Sequence, residues 1–362
     1  MDLAYHSETE NQMTSAAKAK PRVTLSDLAR HLSLSRTTVS VVLSDSTAAK
    51  AISPETRARV LKAAAELAYT PHFLARSLRQ NKTMSVGIMT PDFSDGYFTL
   101  LMSGVEASLV ESGYFYFTVS HFFKPELIEQ YSRMLEARCV EGILLLNTPV
   151  PHVNLPMVSI SGHHASNAPP TVMLDHDEAA RLAIEHLFKL GHRRIAFMVG
   201  QSWSLDTRQR WKAIKAAARR RNLRVDAGLV MTIESAEWSL EIGYEPMRRL
   251  LTSRRDFTAV FAFNDTAAMG AIRALSDVGL RVPQDVSVLG FDDVANASYF
   301  IPRLSTIRQP LHEMGRLAVD RLLAGIQDPS RKLPASIKVT PELVVRGSTG
   351  PVSSKRIPLA SE

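Results

Sequence analysis

Cysteine is nearly missing: Cys139 stands alone among 362 residues. A single thiol excludes a disulfide framework within the chain and fits a reducing compartment. Long apolar runs are missing too, so nothing in the sequence is expected to span a bilayer. Met1 to Lys20 is polar and lacks an apolar core, so it does not read as a secretory signal. His163, His164 and His176 tempt the eye, yet no set of His, Cys and carboxylate residues has metal-ligand spacing. A P-loop, a GxGxxG turn and a nucleophile elbow are all absent. So are short internal repeats and low-complexity tracts. These absences lead to the expectation of a soluble cytoplasmic protein with no cofactor, no metal, no membrane partner and no catalytic machinery.

What is present begins with charge placement. The net charge is +7. From Lys20 to Thr83 there are eleven Lys/Arg and four Asp/Glu, so this stretch accounts for the whole excess and the rest is balanced. A basic N-terminal fifth on a neutral body suggests a nucleic-acid head on its own module.

Within that head, Thr24 to Leu43 reads as two short helices with a tight joint. Thr24 and Asp27 form a capping signature. Leu25, Leu28, Ala29 and Leu32 recur at helical spacing. The joint falls near Ser33 and Leu34, after which Ser35 can cap a second helix with an apolar stripe of Val39, Val42 and Leu43. Arg36, Thr37, Thr38 and Ser40 are left near its start, mostly on the outer side. Such a pair is a helix-turn-helix, whose second helix enters the major groove. Ser53-Pro54-Glu55 then opens a third helix, with Val60, Leu61, Ala64 and Leu67 expected to close a small core.

From Ser85 onward, short apolar runs alternate with amphipathic segments. Strands are expected at 86–89, 115–119, 142–146, 158–160, 172–174, 195–199, 259–262 and 287–289. Helices are expected at 99–112, 177–190, 206–221, 239–251 and 266–277, among others. The alternation implies parallel sheets covered on both faces. A run of about 260 residues is long for one sheet, so two lobes sharing a cleft are expected.

The segments VTLSDLARHLSLSRTTVS, SPETRARVLKAAAELAYTP, LARSL, GHRRIAF, FNDTAAMGAIRAL, VPQDVSVLGFDD and IPRLSTIRQP carry a family resemblance. Over roughly Val23 to Thr349 the chain resembles a LacI-type transcriptional regulator. The resemblance implies an α/β protein with an N-terminal three-helix helix-turn-helix head and a hinge. These join a two-lobed body like a periplasmic binding protein, with parallel sheets. The implied division is an arm at 1–20, a DNA-binding domain at 21–69, a hinge and linker at 70–83, an effector-binding and dimerisation domain at 84–349, and a tail at 350–362. Crossovers between the lobes are placed near 174, 307 and 341.

The implied activity is repression through a palindromic operator bound by a homodimer, switched by a small molecule in the cleft. Arg36 and Thr37 fall where the family reads bases, and Arg can clasp guanine with two hydrogen bonds. Ser35, Thr38 and Ser40 suit phosphates. Ala75 and Leu78 in LARSL resemble the hinge that enters the minor groove, with Leu78 as the wedge. In the cleft, Tyr97, Phe98, Asp175, Arg210, Trp238, Asn264 and Asp292 are the expected effector contacts. An aromatic face with directed polar groups suits a sugar or sugar derivative. A purine is the alternative effector, and a sugar-binding or sugar-processing protein with an incidental basic head is the alternative function.

The chain also departs from the family. Val41 stands where an Arg commonly reaches guanine. The loop at 44–52 is longer than usual. Ala68 stands where Gly or Asn usually ends the third helix, and a left-handed turn would cost Ala more. The tail carries no apolar heptad, so a dimer is expected and not a tetramer.

Overall fold

The computed structural model describes residues 23–44, 47–69, 82–93, 96–161, 169–202, 204–233 and 239–353. The chain divides into two units, Met1–Thr83 and Met84–Glu362.

In the first unit, helix α1 spans Leu25–Leu32, α2 spans Arg36–Leu43 and α3 spans Pro54–Glu66. Thr24 and Asp27 form the reciprocal capping box at the start of α1. Ser33 then takes a left-handed conformation at φ 54°, which turns the chain toward α2. Leu28, Ala29, Leu32, Val39, Val42, Val60, Ala63 and Ala64 form the buried centre of the head. Leu61 does not join them; it is 56% exposed. Positions 60, 63, 64 and 67 share one helical face, and residue 61 falls about 100° away from residue 60.

Helix α3 ends in the geometry its sequence makes costly. Ala68 sits at φ 48°, and the Tyr69 N–H donates to the Ala64 carbonyl at 2.8 Å. This is a Schellman-type ending with alanine where glycine is usual. Ala68→Gly is therefore expected to stabilise the head by about 0.5–1 kcal/mol, after the greater freedom of glycine in the unfolded chain is deducted. Denaturant melting of the head transition checks this, and an unchanged or lower midpoint would contradict it.

The second unit holds two six-stranded sheets. The first contains β1 (Ser85–Thr90), β2 (Phe115–Ser120), β3 (Ile143–Leu146), β4 (Met157–Ile160), β5 (Thr171–Leu174) and β11 (Ser336–Val339), in the order β11-β5-β4-β3-β1-β2. The second contains β6 (Ile195–Val199), β7 (Val230–Thr232), β8 (Ala259–Phe261), β9 (Ser287–Asp292), β10 (Ser305–Arg308) and β12 (Glu342–Val344), in the order β12-β10-β9-β8-β6-β7. Every pairing is parallel except β10 with β12. That exception follows from the path of the chain: β10 leaves the second sheet for the first lobe, whereas β12 enters it from β11.

Central strands are mostly apolar because helices cover both faces; β1, β3, β5, β8 and β9 are buried along their whole lengths, with their few polar residues at the strand ends. Helix α4 (Gly96–Glu111) packs on α10 (Leu311–Gln327) through facing glycines. A Cβ added at Gly104 would come 1.9 Å from the His312 carbonyl oxygen, and one at Gly315 would come 2.4 Å from that of Leu101. Among the described residues no helix is long and apolar enough to cross a membrane, and no cluster of His, Cys, Asp and Glu could hold a metal ion.

Candidate functional site

Helix α2 presents its first turn to solvent. Ser35 is the N-cap; its hydroxyl accepts the Thr38 N–H at 3.0 Å and lies 2.8 Å from the Thr38 hydroxyl. Arg36 and Thr37 are exposed, and Thr38 and Ser40 are half-buried. Val39 and Val42 anchor the opposite face in the core. No acid among the described residues pairs with Arg36. The result is a guanidinium beside a helix N-terminus, an arrangement favourable to phosphate and base edges. Ala75 and Leu78 lie outside the described residues, as does Trp238.

The second set of residues follows from sheet order. In each sheet the order reverses beside the first strand made: β1 lies between β2 and β3, and β6 lies between β7 and β8. Loops at the carboxyl ends diverge there and leave a crevice. The cavity between the lobes is lined by Tyr97, Phe98, Asn147 and Ser161 from the first lobe. Gln201, Ser204, Asp206, Arg210, Phe263, Asn264 and Asp292 line it from the second. The Tyr97 hydroxyl meets the Ser161 hydroxyl at 2.9 Å, and the Tyr97 and Phe98 rings pack edge to face at 5.0 Å. Burial pushes the Tyr97 phenol up, with the Asp206 charge adding to the shift, so it stays protonated.

In the second lobe, helix α7 (Leu205–Arg220) starts at the Ser204 cap and brings Asp206 and Arg210 to one face, four residues apart. Arg210 donates to Asp206 Oδ2 at 2.7 Å and to the Phe263 carbonyl at 2.7 Å. Its guanidinium lies 3.7 Å from the centre of the Phe291 ring and 4.9 Å from that of Phe263. Behind it, His176 Nε2 meets Asp206 Oδ1 at 2.9 Å. Burial alone would raise the Asp206 carboxyl, but the charges and hydrogen bonds of His176 and Arg210 outweigh it and hold the group below the usual carboxylate range.

Asn264 caps helix α9 (Asp265–Asp277), its side chain accepting the Ala267 N–H at 2.8 Å. Asp292 sits at φ 110°, a strained position for a non-glycine residue, and accepts from Gln309 Nε2 at 2.6 Å. Next to this pair, burial pushes the Asp265 carboxyl up to about 7 while the Thr306 hydroxyl and the Val294 N–H donate to it.

Tyr97, Phe98, Arg210, Asn264 and Asp292 are thus brought together. Asp175 is not among the lining residues; its carboxylate caps helix α6 (His176–Lys189), accepting from the Asp177 and Glu178 N–H groups. Sequence reasoning missed Asn147, Ser161, Gln201, Ser204, Asp206 and Phe263. Only Asp206 carried a readable signal, since it stands one helical turn before Arg210.

Residues 24–72 match the family described as bacterial regulatory proteins, lacI family, and residues 184–349 match a periplasmic binding protein-like domain. The HTH-type transcriptional repressor PurR of Haemophilus influenzae is 32% identical over 335 residues, covering 90% of this chain and 98% of that protein. The chain is a LacI-family transcriptional regulator. Membership places it among DNA-binding repressors with an effector domain and not among enzymes. Solved structures of transcriptional regulators agree. The lac repressor dimer bound to operator and the anti-inducer ONPF is 27% identical with a TM-score of 0.82, covering 91% of this chain and 99% of that one. The complex of the transcriptional regulator CelR with cellobiose is 27% identical with a TM-score of 0.66, covering 90% and 100%.

Proposed function

We propose that this LacI-family chain represses transcription as a homodimer on a palindromic operator, and that a sugar or sugar derivative between the lobes switches it. The observation that carries the reading is the convergence of polar groups from both lobes on one cavity. Tyr97, Asn147 and Ser161 face Arg210, Asn264 and Asp292. A ligand held by both sets favours one lobe spacing over another, which is the differential affinity a switch requires. The cavity volume is about 40 Å³, well below the roughly 300 Å³ at which small-molecule pockets begin, so ring binding is expected to move the lobes apart. The similar CelR structure holds cellobiose, a ligand of the proposed class.

On the DNA side, Arg36 and Thr37 are assigned to base edges, and Ser35, Thr38 and Ser40 to phosphates. Subunit contact is assigned to exposed apolar side chains of the second unit. Tyr299 and Ile301 are 85% and 90% exposed, beside a groove of about 540 Å³ lined by Ile272, Leu280 and Val282. Isolated exposed apolar residues are ordinary, but a cluster beside a groove marks an interaction surface.

The aromatic groups Tyr97, Phe98 and Phe263 support a second reading, a flat purine ring. One experiment separates the two. Calorimetric titration with ribose, glucose, cellobiose, adenine and hypoxanthine is run on the wild type, Tyr97→Phe and Asp292→Asn. A sugar is expected to bind, and each variant to weaken it by roughly tenfold or more, the worth of a hydrogen bond to a buried or charged group. Binding of the bases alone would sink the sugar assignment.

A further inference from the structure

We propose that Asp206 sets the charge class of the effector: the cleft takes a neutral hydroxylated ring and rejects sugar acids and sugar phosphates. The inference rests on the cleft being the effector site.

Arg210 is the sole cation among the described residues that line the cavity. An arginine in such a place would ordinarily invite a carboxylate or phosphate, clasped by two parallel N–H groups. Here the clasp is already taken. One terminal nitrogen donates to Asp206 and the other to the Phe263 carbonyl, both at 2.7 Å. Arg210 is 6% exposed and its guanidinium is wedged against the Phe291 ring, so it cannot swing to present a free edge. Its Nε remains buried without a partner, which leaves single N–H donors suited to a hydroxyl oxygen.

Asp206 cannot step aside either. Its second oxygen is held from behind by His176, which is itself buried. Asp292 adds a second buried carboxylate on the same wall. At the cavity wall an incoming anion would meet the Asp206 and Asp292 carboxylates, with the Arg210 guanidinium already paired to Asp206 and His176 set behind Asp206 and away from the cavity lining, in surroundings that screen poorly. A neutral ring meets no such repulsion, and its hydroxyls can both donate to Asp292 and accept from Arg210. His176 is then a positioning residue: it fixes Asp206, and Asp206 fixes Arg210.

The test compares matched pairs by calorimetry on the full-length protein: ribose with ribose 5-phosphate, glucose with glucuronate, and cellobiose with cellobionate. In the wild type the neutral member of the binding pair is expected to bind at least tenfold more tightly than its anion. Asp206→Asn removes one negative charge, so Arg210 is no longer neutralised even where the amide oxygen still accepts from it, and the anion should gain at least tenfold relative to the neutral compound. Asp206→Ser makes the same charge change with a smaller side chain and decides the matter if the Asn variant folds poorly. An anion that binds the wild type as tightly as its neutral partner overturns the proposal, as does the failure of every neutral sugar to bind. If a sugar binds but Tyr97→Phe and Asp292→Asn leave its affinity unchanged, the ligand is outside the cleft and both readings fall. If those variants weaken binding while neither Asp206 variant gains the anion, only the charge assignment falls.

Discussion

Arg36→Ala is expected to weaken binding to the cognate operator by roughly 5- to 150-fold, the equivalent of the about 1–3 kcal/mol that a bidentate base contact contributes. Arg36 is exposed on the first turn of α2, with no acid among the described residues to neutralise it, so the proposed contact would keep its full charge. The head should fold as before, because Arg36 packs against nothing in the head core of Leu28, Val39 and Val60. The loss should fall on one symmetric pair of operator positions, where base preference relaxes. Gel-shift titrations against a set of single-substituted operators, at two salt concentrations, read this directly. An equal loss on every sequence with a shallower salt dependence would instead make Arg36 a phosphate contact.

The larger effect is expected from Ile301→Asp. Ile301 is 90% exposed in the single chain, so a carboxylate there costs the fold of one chain little. In a two-fold interface the same change occurs twice. Each carboxylate moved from water into dry contact costs at least the roughly 2–3 kcal/mol of an unpaired neutral polar group. The dimer dissociation constant should therefore rise by about a thousandfold or more. Sedimentation velocity at micromolar concentration should show a monomer whose thermal melt retains a cooperative transition, and operator affinity should fall with it. A variant that still sediments as two chains would place the subunit contact elsewhere.

The sequence made the fold readable wherever elements are long and strongly patterned. Ile195–Val199 is found as expected, and β1, β2, β4 and β5 differ from expectation by one residue at one or both ends. Four strands were not foreseen, Val230–Thr232, Ser305–Arg308, Ser336–Val339 and Glu342–Val344; each has only three or four residues, too few for a period to register, and all but the interior Ser305–Arg308 lie on sheet edges. Leu61 misled because hydrophobicity was weighed above helical spacing, and small Ala63 takes the core position.

In the cleft, residues of distinctive type after a strand or on a following helix could be named from sequence, such as Tyr97, Arg210, Asn264 and Asp292. Asn147 and Ser161 could not, since a polar residue after a strand is unremarkable until the sheet order is known. Asp206 shows a different difficulty. Its pairing with Arg210 is local, but its other partner, His176, is 30 residues away on another helix. Asp175, an expected effector contact, satisfies the first N–H groups of α6 as its cap and is not among the residues lining the cavity.

Neither lobe is a continuous piece of chain, and this governs the order in which the protein can be built. The first lobe begins with β1 but borrows Leu311–Gln327 and Ser336–Val339 from near the other end. On the ribosome, the face of α4 that receives α10 and the open edge of β5 stay uncovered until all of β6 to β10 has been made. The second lobe in turn waits for β12 to cover β10. Contacts so distant in sequence close late and slowly, and the apolar surfaces awaiting them are exposed to aggregation meanwhile. Nascent chains of this protein should therefore lean on chaperones through most of their synthesis. A premature stop before residue 336 leaves both lobes unfinished at once, instead of one lobe complete and the other missing.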